Sequence, residues 1–186
     1  MSLTAVQPIT IEQFLRFRAP QGFRCELING EIVLSPDPKP PHYDICERLA
    51  EFLKQVCPPP EFKVIQRMNI LLGAAGQMPS PDVAVIPQRA WIAALAGGYP
   101  STIPYLVTEV VSPSNRKGQV AKKVSSYLAS GVGLVWVIYP KRRVVIVHTH
   151  AGSETLDESG YLELSPPLPS AKVSIRELLT LGATLT

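Results

Sequence analysis

The spacing of apolar and polar positions changes several times along this chain of 186 residues, and each change predicts an element. Thr10-Ile11-Glu12-Gln13 has the form of a capping box leading into Phe14, Leu15 and Phe17, which predicts a short helix. Cys25-Glu26-Leu27-Ile28 and Glu31-Ile32-Val33-Leu34 flank Asn29-Gly30, a strong hairpin signal. After a proline-rich loop, Ile45, Leu49, Phe52, Leu53 and Val56 recur at helical spacing, so 42–56 is expected to be an amphipathic helix. Strands are expected over 63–72 and 82–86, a short helix over 88–96, and a strand over 105–111. A helix over 116–130 then ends at Gly131. Val135-Trp136-Val137-Ile138-Tyr139 and Val144-Val145-Ile146-Val147 read as two further strands joined by Pro140-Lys141-Arg142-Arg143. Ser174-Ile175-Arg176-Glu177 is a second capping box, opening a terminal helix. With no internal repeat and no long linker, the expected architecture is one domain over 1–186. Its class is α/β in the mixed α+β sense, with helices around one central sheet.

Composition narrows the class without naming an activity. A hydrophobic content of 46% and a mean hydropathy of +0.14 fit a packed core and argue against disorder. Eighteen basic and 15 acidic residues leave a net charge of +3, which permits contact with nucleic acid but does not argue for it. Cys25, Cys46 and Cys57 lack CxxC spacing, so free thiols in a reducing compartment are expected rather than a structural zinc site. No apolar run is long enough for a membrane span, and no secretory signal precedes the first helix. A cytoplasmic location is the expectation.

The chemistry lies in carboxylates placed where charge is costly. Tyr105-Leu106-Val107-Thr108-Glu109-Val110-Val111 is apolar on both alternating faces, the pattern of a strand covered on both sides. An ionised Glu109 there requires a cation or several donors. Asp82 opens a second apolar run, Asp82-Val83-Ala84-Val85-Ile86, directly after Pro81. In the following helix Lys123 shares the phase of Val120, Val124 and Tyr127, whereas Lys122 projects to solvent. Asp82, Glu109 and Lys123 could together bind a divalent metal and polarise a water for attack on phosphorus. The structural alternative makes Asp82 a loop or cap residue and Glu109 the partner of Lys123 or an arginine in a buried ion pair.

These words, in this order, resemble the Uma-two family of restriction-type endonucleases, within the PD-(D/E)XK nuclease superfamily. The resemblance runs from Thr10-Ile11-Glu12-Gln13-Phe14-Leu15 through Cys25-Glu26-Leu27-Ile28-Asn29-Gly30-Glu31 and Pro41-His42. It continues through Pro81-Asp82-Val83-Ala84-Val85, Glu109-Val110-Val111-Ser112-Pro113-Ser114, Lys123 to Tyr127, Ala129-Ser130-Gly131, and Val135-Trp136-Val137-Ile138-Tyr139-Pro140. It implies a restriction-endonuclease-like fold, a mixed sheet flanked by helices with an N-terminal hairpin. It also implies a magnesium- or manganese-dependent endonuclease acting on nucleic acid, DNA foremost. Asp82 matches the acid of the PD word and Glu109 the acid of the next core strand. Val111 stands where the superfamily has lysine, a role that passes to Lys123 in the next helix. Glu26 matches an early glutamate that assists the metal or its water. Where the family often has an acid four positions before the lysine, this chain has Gln119.

On this reading Asp82 and Glu109 bind the metal, the Val110 or Val111 carbonyl is a further ligand, and Lys123 and Glu26 complete the catalytic set. His42, Arg116, Lys117 and Gln119 are candidate substrate contacts; Arg116 and Lys117 open a helix whose amides could hold phosphate. By strand alternation alone, Glu26 could instead face solvent, and His42 could be a surface or capping residue. His148 and His150 lack a third ligand. Ser112 and Ser114 lack a nucleophile-elbow setting. Cutting both strands of a duplex favours a homodimer. Two rival readings remain: a non-catalytic binding module on the nuclease fold, or a hydrolase of a small phosphorylated metabolite.

Overall fold

The computed structural model describes residues 7–73, 76–112 and 118–182. Helix α1 (Ile11–Arg16) precedes the hairpin strands β1 (Phe23–Ile28) and β2 (Glu31–Pro36), then α2 (Pro40–Val56), β3 (Phe62–Gln66) and β4 (Val83–Pro87). Next come α3 (Gln88–Ala94), β5 (Leu106–Val110), α4 (Gln119–Ala129), β6 (Val135–Tyr139), β7 (Val144–Thr149) and β8 (Gly152–Asp157). The chain closes with β9 (Tyr161–Leu164), β10 (Ala171–Ser174) and α5 (Ile175–Leu179).

Six strands form the central sheet in the order β3-β4-β5-β6-β7-β8. All neighbours are antiparallel except β5 and β6, which run parallel. A parallel pair needs a crossover, and α4 supplies it. The crossover lays Val124 and Tyr127 on one face of the sheet, against Ala84, Val107, Val135 and Val137. Helix α2 covers the other face, with Ile45, Leu49 and Leu53 clustered with Val83, Val85, Leu106 and Trp136. Every residue of β4 and β5 is therefore buried, which explains why their sequences show no polar face.

The hairpin is a separate two-stranded sheet held against this body. Asn29 (φ 51°) and Gly30 (φ 76°) both adopt left-handed backbone, as a two-residue type I′ turn demands. A side chain at position 30 would also put its Cβ 2.5 Å from the Pro8 Cβ. Leu27 exchanges backbone hydrogen bonds with Met78 at 3.1 and 2.9 Å, fixing the hairpin to the segment that leads into β4. Phe14, Leu27 and Met78 form a small core beneath it.

Three details depart from expectation. The strand expected over 63–72 ends at Gln66, because Arg67 turns to φ 45° and donates its N–H to the Pro81 and Asp82 carbonyls. Strands β8, β9 and β10 were not expected. β8 is a polar, exposed edge, so its residues carry no apolar alternation. At the last helix only half of the expected capping box forms, with Ser174 Oγ accepting from the Glu177 N–H at 3.3 Å. Among the described residues α4 begins at Gln119; Ser114, Arg116 and Lys117 lie outside them. No helix among the described residues is long and apolar enough to cross a membrane.

Candidate active site

The antiparallel register of β4 on β5 puts Val83 opposite Thr108, and the Asp82 N–H donates to the Thr108 carbonyl at 3.1 Å. Asp82 and Glu109 thus reach the same end of the sheet, where both line a cavity of about 190 Å³. Asp82 lies one residue before its strand, so its carboxylate can turn across the sheet end. Its Oδ2 accepts the Val110 N–H at 2.8 Å. Its Oδ1 lies 3.0 Å from His42 Nε2 and 3.5 Å from Arg24 Nη2.

On the α4 side, the Lys123 ammonium sits 2.7 and 2.8 Å from the two Glu109 oxygens. It also reaches Glu26, 2.9 Å from Oε1 and 3.2 Å from Oε2. Tyr127, one helical turn on, donates its hydroxyl to Glu109 Oε1 at 2.7 Å. The Ser80 N–H donates to Glu26 Oε1 at 2.7 Å. Lys122 points away, its side chain 68% exposed against 12% for Lys123, as the helical phase requires. Glu26 does not face solvent as simple alternation would have it. Its neighbour Leu27 packs into the hairpin core while Glu26 enters the cavity, so both faces of β1 are covered here.

Three carboxylates thus crowd one ammonium, and the acid–base properties follow. Burial pushes the Glu109 carboxyl up to about 7; Lys123 opposes this, but Asp82 and Glu26 reinforce it. Burial works against the charged Lys123 too, yet Glu109, Glu26 and Asp82 outweigh it and hold the ammonium protonated. For Asp82, burial is overcome by His42, Lys123 and the Val110 N–H, which keep it below the usual carboxylate range. The Tyr127 phenol is pushed well up by burial and by Glu109, so it remains a donor.

A pH dependence follows with a definite sign. Between about 4.5 and about 7 the folded protein holds a proton on Glu109 that the unfolded chain has lost. Rising pH through that window therefore removes stability, and the loss is complete above the folded value. In metal-free buffer, the stability of the native protein relative to Glu109→Gln should fall by up to a few kcal/mol from about pH 5 to about pH 8. Urea unfolding of both proteins across that range reads it; a constant difference would contradict the shift.

The sequence pattern had marked Asp82, Glu109, Lys123, Glu26 and His42, and all five line or face this cavity. Val110, Val111 and Gln119 line it as well. Arg24 was not singled out, although it stands two residues before Glu26 on the same strand and so shares its face. Its Nε and Nη1 are buried and meet no hydrogen-bond partner among the described residues. Cys46 was read only as a buried thiol. It lies one turn after His42 on α2, and the donor atoms of His42, Cys46 and Asp82 fall within 4.8 Å of one another. Asp82, Glu109 and the carbonyls of Val110 and Val111 offer oxygen donors only. That donor chemistry suits a hard cation such as magnesium or manganese, and a dication would relieve both the burial and the neighbouring acids that raise Glu109.

A mixed sheet with an acid before one strand, an acid inside the next, and a lysine on the crossover helix defines a restriction-endonuclease-like protein. The family model described as "Putative restriction endonuclease" (Uma2) matches residues 11–181, and the chain belongs to that family. Its fold is shared by a crystal structure from Anabaena variabilis, described as "a putative nuclease belonging to DUF820". That likeness has a TM-score of 0.76 at 22% identity and covers 92% of this chain and 98% of the other. No curated protein matches the chain.

Proposed function

We propose that this protein is a magnesium- or manganese-dependent endonuclease that hydrolyses phosphodiester bonds in nucleic acid, with DNA as the substrate. The carrying observation is the convergence of Asp82, Glu109 and Glu26 on Lys123 at one sheet end, in a chain of this family. Asp82 and Glu109, with the Val110 or Val111 carbonyl, would hold the metal. When bound, the metal supplies an acidified water and neutralises charge on the phosphate. Lys123 orients the attacking water and stabilises the charge that builds on the phosphorane oxygens. Glu26 holds Lys123 in place from the hairpin side. His42 steadies Asp82 from α2. Arg24 lines the same cavity, and its guanidinium is chemically suited to a phosphate oxygen. Gln119 would extend that contact toward the nucleic-acid backbone, and Arg116 and Lys117, outside the described residues, stay candidate contacts.

One observation favours a second reading. All four oxygens of Asp82 and Glu109 already meet protein donors or cations, as in a self-contained structural network. A non-catalytic binding module would look the same. Cleavage of plasmid and linear DNA in magnesium or manganese, by the native protein and by Asp82→Ala, separates the two. Native cleavage that Asp82→Ala reduces by at least about 100-fold supports the endonuclease. No native cleavage of any DNA or RNA, with folded protein and bound metal, supports the binding module or a small phosphorylated substrate.

A further inference from the structure

His42 and Cys46 are separated by one turn of α2, so their side chains lie on one helix face. The bend before β4 brings Asp82 beside them, and the three donor atoms lie within 4.8 Å of one another. Tetrahedral zinc, with bonds of about 2.0–2.3 Å, spaces its donors by roughly 3.3–3.8 Å, so the three donors would need to close by at most about 1.5 Å. All three residues are buried: His42 is 9% exposed, Cys46 1% and Asp82 4%. Neither His42 ring nitrogen makes a well-aligned hydrogen bond among the described residues, although Nε2 lies 3.0 Å from Asp82. Nδ1 has no partner among the described residues, and Nε2 already points at Asp82, so a metal between them would replace the Nε2–Asp82 contact with ligation.

We propose that His42, Cys46 and Asp82 form a binding site for a thiophilic dication of the zinc class, and that this site competes with magnesium because both draw on Asp82. A neutral imidazole, a thiolate and a carboxylate carry two negative charges, which match one dication. A water from the cavity takes the fourth position, since His42 and Asp82 both line that cavity. The Cys46 S–H gives its proton to solvent as the sulfur–metal bond forms. Arg67, Arg24 and Lys123 are the cations that face this grouping. Of these Arg24 is the least restrained, with its side chain a quarter exposed and two nitrogens unpartnered, and it can swing away from Asp82. Magnesium has little affinity for sulfur, so Cys46 is what separates the two metal classes.

The competition rests on the endonuclease reading; the site itself does not. Cobalt(II) is the probe, titrated into the metal-free full chain under argon. One equivalent should give a thiolate-to-cobalt charge-transfer band that zinc(II) then displaces. Cys46→Ala should lose the band and weaken zinc binding by more than about 100-fold, beyond the effect of an outer-shell change. His42→Gln should lose it too and carries the test if Cys46→Ala is misfolded by circular dichroism. Glu109→Gln should keep the band. Excess magnesium should weaken cobalt binding to the native chain but not to Glu109→Gln, which lacks the hard-metal carboxylate. A native chain without the band, or a band that survives in Cys46→Ala, overturns the site. Cobalt binding indifferent to magnesium overturns the sharing of Asp82. If the chain cleaves no nucleic acid while the band obeys these rules, the endonuclease reading fails and the site stands.

Discussion

Lys123→Met should lower the unfolding free energy by about 3–5 kcal/mol near pH 8, because it removes the cation from a buried cluster and leaves the acids behind. The Lys123 ammonium lies within 2.9 Å of both Glu26 and Glu109, and its side chain is 12% exposed. Methionine fills much the same space, so the loss is electrostatic rather than a cavity effect. The stranded carboxyls can escape part of the cost by taking up protons, so the deficit should shrink at about pH 5.5. Adding Glu109→Gln to Lys123→Met should restore more than half of the lost stability, since the two positions form one network. Denaturant unfolding at both pH values measures all three proteins; in melting temperature the single change is on the order of 10 °C. Native-like stability of Lys123→Met near pH 8 would show that the cluster does not need its cation.

Glu109→Gln should lower nucleic-acid cleavage by at least about 1000-fold while changing DNA affinity by less than about threefold. The amide keeps the shape of the side chain and its contact with the Tyr127 hydroxyl, but loses the charge that a hard metal requires. Binding depends on a different surface. A net charge of +3 leaves few basic groups for phosphates, so affinity should be weak. Its logarithm should fall with log salt by about 0.9 per phosphate contacted, with few contacts in total. Cleavage is followed with magnesium, and binding across a salt series without it. Cleavage that survives in Glu109→Gln would place the chemistry elsewhere; affinity that collapses in it would make Glu109 a substrate contact.

Much of the fold was legible because its signals are local. The Asn29-Gly30 turn, the period of α2, and the unbroken apolar runs of β4 and β5 each follow from neighbouring residues. β8 was not legible, because an exposed edge strand stabilised by its β7 partner carries no apolar alternation of its own. The candidate site divides in the same way. Glu109 and Lys123 stood out by their positions on buried faces, one as a charge in a strand and the other by helical phase. Glu26 needed family resemblance, since strand alternation cannot reveal that a second body covers the outer face of a hairpin. Cys46 and Arg24 needed the tertiary structure. Nothing local to α2 says that a bend 36 residues later, at Asp82, will bring a carboxylate to the thiol.

The acids and cations around the cavity come from β1, α2, the bend before β4, β5 and α4. A ribosome therefore adds Glu26, His42, Asp82 and Glu109 to the chain before Lys123. Until α4 has crossed over to set β6 beside β5, the carboxylates have no Lys123 to gather around. Any product truncated before Lys123 carries the acids without the cation that Glu26 and Glu109 surround in the folded protein.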